Sequence, residues 1–128
     1  MISFSGFSSG IEMVPSQFFT EILPEIDTLH EMKTILFAIY LLNQYQGDQR
    51  YILRTDFSEC EPFMQGLKQL GDDPEILLDD GLEKSVLRGT LLRVDYGNTH
   101  LYFLNSPKGR LAVERLEQGQ WVPDSFLH

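Results

Sequence analysis

His30 and Glu31 stand at the head of an apolar run in the order that opens a zinc-protease helix, where two imidazoles one turn apart hold the metal. The second ligand position is Thr34, so the pattern stops at its first half. The three histidines and one cysteine of the chain show no other metal-ligand spacing, and neither a metal nor another cofactor is expected. Cys60 lies between Glu59 and Glu61, two carboxylates that disfavour a thiolate nucleophile, so a small core residue is its expected role. Gly6 and Gly10 are followed by no Gly-Lys-Ser/Thr, which excludes a phosphate-cradling P-loop. Asp95 and His100 fall opposite each other in a hairpin, but nothing nucleophilic is placed beside them, so they read as a surface pair. No catalytic residue is assigned, and a non-enzymatic protein is expected.

Charge offers more. The net charge is −9 at pH 7, which argues against a general nucleic-acid coat protein, because phosphate binding needs clustered Lys and Arg. Residues 1–83 carry four basic and fifteen acidic side chains, a balance of −11. Residues 84–115 carry six basic and two acidic ones, a balance of +4. From this island Lys84, Arg88, Arg93, Lys108 and Arg110 are candidate DNA-binding residues, with Pro107-Lys108-Gly109-Arg110 at a helix start whose free amides favour anions. The helix ahead of the hairpin, from Asp72 to Gly89, has a balance of −4 and is unsuited to a major groove. The favoured expectation is that the basic residues balance the acidic body, within the fold or between subunits.

Aromatic residues crowd the two ends. Phe4, Phe7, Phe18 and Phe19 precede the expected core, and Trp121 and Phe126 follow it. Large exposed apolar patches mark association surfaces, and aromatics anchor interfaces, so these six are the candidate oligomerisation residues of a homodimer or partner site. The competing expectation is that they pack on their own chain as extra helices.

The elements that must position these groups follow from pattern. A Gly97-Asn98 turn pairs Tyr96 with Thr99, Val94 with Leu101 and Leu92 with Phe103 on a nearly apolar face. Asp95 with His100, Arg93 with Tyr102 and Leu91 with Leu104 make the other face. Before the hairpin, Pro15 and Ser16 open a short helix ending at Pro24. Thr28 to Glu31 forms a capping box for the longest helix, whose stripe of Leu29, Met32, Leu36, Ile39 and Tyr40 is expected in the core. Arg50 to Arg54 reads as a third strand, and one helix from Thr55 or Ser58 runs past Pro62 to Gly71. Asp72-Asp73-Pro74 starts the next helix, weakened by Gly81, and Ser106-Pro107 starts the last.

This order makes an α+β, mainly α chain: a winged helix-turn-helix with a small three-stranded antiparallel sheet and extra N- and C-terminal helices. Residues 1–14 form an N-terminal arm, 15–118 the winged-helix domain and 119–128 an apolar tail. The hydrophobic fraction of 42 % fits a folded domain, and no apolar run is long enough for a membrane, so none is expected as a partner. A single cysteine and the absence of a signal-peptide pattern suit the cytoplasm.

The stretches FFTEILPEIDTLHEMKTILFAIYLL, RYILRTDF, LEKSVLRGTLL and YFLNSPKGRLAVERL, across roughly residues 16–116, resemble the winged-helix N-terminal region of bacterial DnaD-type primosome and replication-initiation proteins. The resemblance implies an oligomerising module in DNA replication, with a replication or transcription protein as partner. The single-stranded DNA and helicase contacts of that family belong to a separate C-terminal helical domain and are not carried over. The alternative is a transcription regulator that contacts phosphates through its wing.

Overall fold

The computed structural model describes residues 4–8, 10–45 and 47–123. Gly97 takes a φ of 60°, the turn conformation open to glycine, and joins strand β1 (Leu91–Tyr96) to β2 (Thr99–Leu104). All six cross-strand pairs fall in the expected register. Ahead of them lie helices α1 (Leu29–Asn43), α2 (Arg54–Ser58), α3 (Glu61–Lys68) and α4 (Pro74–Arg88), and behind them α5 (Pro107–Glu117). The described residues are therefore mainly helical, with a two-stranded antiparallel sheet.

The hairpin separates two apolar clusters. At its root Leu91, Tyr102 and Leu104 turn toward the larger cluster, built on Ile35, Ala38, Ile39 and Leu42 of α1 with Leu78 and Leu82 of α4. On the opposite face Leu101 and Phe103, flanked by Leu92, Val94 and Tyr96, pack with Tyr51 and with Ala112 and Leu116 of α5. A period-2 alternation that is apolar on one face throughout and on the other only near the root lets one ribbon serve both.

Four local expectations are corrected. The third strand shrinks to one antiparallel bridge, in which Ile52 and Tyr102 exchange both backbone hydrogen bonds at 2.9 Å. The pairing stops there because the Leu53 amide donates to the Asp56 carboxylate at 2.7 Å and Arg54 opens α2. The single helix from Thr55 or Ser58 is two, broken at Glu59-Cys60, because Pro62 sits within the first turn of α3 and cannot continue a helix from upstream. The N-terminal helix does not stop at Pro24: a π-helical turn, Phe18–Ile22, leads into a 3₁₀ turn, Leu23–Glu25, that contains it. At α1 the Thr28 hydroxyl accepts from the Glu31 amide at 3.4 Å, but the Glu31 carboxylate does not return to the cap. It is drawn instead to Arg88.

Glycine decides two close approaches. A Cβ at Gly81 would lie 2.5 Å from the Thr34 hydroxyl oxygen and 3.1 Å from the His30 carbonyl oxygen, so Gly81 is what lets α4 meet α1. A Cβ at Gly109 would overlap the Leu104 carbonyl oxygen, so Gly109 lets α5 fold back onto the end of β2.

Candidate interaction surfaces

The acidic face of α4 is met by basic groups of the same chain. Arg54 donates to Asp79 at 2.6 Å and to Glu75 at 3.1 Å, which raises its pKa. Asp80 takes His30 at 2.5 Å and Lys84 at 3.4 Å. The hydrogen bond from His30, with help from Lys84, holds the Asp80 carboxyl below the ordinary aspartate value against the opposing effect of burial. Glu83 accepts from Arg93 at 2.6 Å. Arg93 also lies beside the Tyr102 hydroxyl, whose pKa burial pushes up while the guanidinium partly offsets the rise.

Arg88 is the most committed of the basic residues. Its Nε and Nη2 donate to the two Glu31 oxygens at 2.6 and 2.8 Å, and the Glu31 side chain is fully buried. A buried carboxylate needs such a two-pronged partner, and Arg88 supplies it with its own pKa raised in return. Three of the five candidate DNA-binding residues, Lys84, Arg88 and Arg93, are thus paired to carboxylates of the fold.

The other two, Lys108 and Arg110, stand in the first turn of α5. There the Ser106 hydroxyl accepts from the Gly109 amide at 3.1 Å, and Arg110 donates to the Asn105 side-chain oxygen at 3.0 Å. Arg110 borders a groove of about 440 Å³ with Gln17, Phe18 and Glu21. Lys108 borders a different cleft, with Asp48 and Arg50. The two cations therefore serve separate surfaces, each also holding a carboxylate.

The terminal aromatics divide in the same way. Phe18 is 3 % exposed within the larger cluster, and Trp121 packs near Tyr51 and Phe103 while its indole donates to the Ala112 carbonyl at 2.9 Å. Both are committed to their own chain, as extra packing elements. Phe4, Phe7 and Phe19 are exposed, Phe7 to 98 %. Phe126 lies outside the described residues.

A further apolar surface falls where sequence pattern placed core. Leu36 and Tyr40 of the α1 stripe are exposed, together with Leu29. Leu36 and Tyr40 line, with Phe37, Pro62 and Phe63, an open groove of about 380 Å³, floored by the Phe37–Phe63 stack at 4.6 Å. The signal was present in the breadth of the stripe: Leu29, Leu36 and Tyr40 together with Ile35, Ile39 and Leu42 cover more of a helix than one core contact can bury.

No three His, Cys, Asp or Glu residues are grouped to hold a metal among the described residues, and no described helix is long and apolar enough to cross a membrane. His100 meets Asp95 at 2.5 Å on the exposed end of the hairpin, and Cys60 sits half-buried ahead of α3. No protein-family model, curated protein or solved structure matches the chain.

Proposed function

We propose that this chain is a non-enzymatic assembly module: a cytoplasmic winged-helix domain, with β1–β2 as the wing and the Ile52–Tyr102 bridge as the remnant of a third strand. Its kind is that of the N-terminal oligomerisation module of DnaD-type replication proteins. It self-associates and brings a replication or transcription protein into a larger complex. The supporting observation is the contrast between its charges and its rings. Lys84, Arg88 and Arg93 are paired to carboxylates of their own chain, whereas Phe4, Phe7, Leu36 and Tyr40 face outward. Electrostatic affinity for a phosphate backbone needs cations that are free to displace counterions, and exposed aromatics supply protein contacts instead.

The second reading is a DNA-binding regulator that uses the start of α5, favoured by Lys108, an exposed cation in the first turn of that helix. Fluorescence anisotropy with labelled duplex and single-stranded DNA separates the two. At about 50 mM salt the assembly role predicts no binding up to about 10 µM protein, in the range of even weak non-specific affinities. Saturable binding that weakens with salt and is lost in Lys108→Ala would favour the regulator.

A further inference from the structure

We propose that two copies exchange their N-terminal arms, each laying Phe4 and Phe7 into the groove between α1 and α3 of the other. This deepens the assembly role and rests on it. The donor is visible in the arm. Phe4, Phe7, Ile11 and Met13 are all strongly exposed, and the Phe4 and Phe7 rings meet each other edge to face at 4.8 Å. The arm is fixed to the body where it leaves it: Asn43 donates to the Met13 carbonyl at 3.0 Å and Gln44 to Glu12 at 3.1 Å. Beyond that anchor, the six residues back to Phe7 can span about 20 Å when extended, enough to cross to a neighbouring copy.

The acceptor is the groove of Leu36, Phe37, Tyr40, Pro62 and Phe63, which opens one to two turns of α1 before the arm's anchor at Asn43. Anchor and groove on the same helix suit a two-fold axis, since one self-complementary contact then repeats twice and closes. Charge does not oppose a second copy as the occupant. Two chains of net charge −9 repel each other, yet the arm carries no charged side chain before Glu12. Among the described residues the one charged side chain lining the groove is Lys33, whose ammonium donates to the Gly66 carbonyl at 3.0 Å. The contact thus forms between the stretch and the surface that escape the repulsion. Two arms with two rings each, and the surfaces that receive them, remove on the order of 1,000–1,500 Å², which reaches the lower range of stable interfaces.

The test uses the full chain. Sedimentation velocity compares the wild type with Phe4→Ser/Phe7→Ser and with Leu36→Glu, each first checked for an unchanged far-ultraviolet circular dichroism spectrum. In parallel, a spin label on Ser8→Cys, in a Cys60→Ser background, is mixed with an isotope-labelled copy that carries no spin label. Arm exchange predicts a wild-type dimer, at least a tenfold weaker association in both variants, and broadening of the Leu36, Tyr40 and Phe63 amides of the unlabelled-spin copy. A dimer that survives Phe4→Ser/Phe7→Ser, or that shows no such broadening, overturns arm exchange and leaves self-association standing. A wild type that is monomeric overturns both.

Discussion

Arg88 at the end of α4 closes with two hydrogen bonds, 2.6 and 2.8 Å, on Glu31 in the first turn of α1, whose carboxylate is fully buried. A residue that charge counting assigns to a phosphate surface is therefore an internal clamp. Around it Gly81 faces Thr34, and His30 meets Asp80, so the α1–α4 contact is narrow and bracketed by polar pairs.

Removing one member of the clamp strands the other. Arg88→Ala leaves the Glu31 carboxylate buried without its partner and is expected to cost about 3 kcal/mol. The double variant Glu31→Leu/Arg88→Met, which removes both charges, recovers most of that loss. Urea unfolding of the single and double variants measures the difference.

Glycine substitutions should rank by what their Cβ meets. Gly109→Ala, which drives a methyl into the Leu104 carbonyl, is expected to destabilise by about 3 kcal/mol. Gly81→Ala, against Thr34 and His30, should lose about 1–2 kcal/mol despite better helix propensity. Gly66→Ala meets only the Lys33 ammonium at 3.9 Å and should gain up to about 1 kcal/mol. Thermal unfolding of the three variants gives the order.

Acid should weaken the α1–α4 contact. The folded Asp80 carboxyl titrates below its ordinary value of 3.8, so its ion pairs stabilise the fold above that pH. The contribution fades as pH falls below about 3.8 through the depressed folded value. In His30→Ala the largest cause of the depression is gone, and the Asp80 carboxyl should titrate closer to 3.8 in an NMR titration.

Breaking an exposed pair should matter far less. Arg93→Ala frees Glu83 at the surface and should change stability by no more than about 1 kcal/mol. It should also leave DNA anisotropy unchanged, because its guanidinium is already occupied by a carboxylate of its own chain.

What was legible in the sequence was local. A Gly-Asn turn with alternating flanks fixes a register, so all six hairpin pairs were readable, and Asp73, Ser106 and Gly89 marked helix ends by side-chain capping or positive φ. What was not legible depends on residues far apart. Glu31 fitted a capping box until a guanidinium 57 positions away offered a stronger bond. Gly81 read as a weak point in a helix because propensity ignores the neighbour that needs the space. Lys84, Arg88 and Arg93 of the basic island found carboxylates for the same reason: net charge along a segment does not say which acids will face it. Leu36 and Tyr40 kept helical spacing with the core yet lie outside it, since periodicity gives a face but not where coverage ends.

We propose that this acidic chain assembles through apolar contacts and not through phosphates. Sedimentation equilibrium of the wild-type chain from about 1 to 100 µM, at low and at high salt, tests it most directly. The expected result is a dimer mass that persists to lower concentration as salt rises, because screening relieves the repulsion between two chains of charge −9 while ring burial is kept. A monomer mass across the whole range at both salts would contradict it.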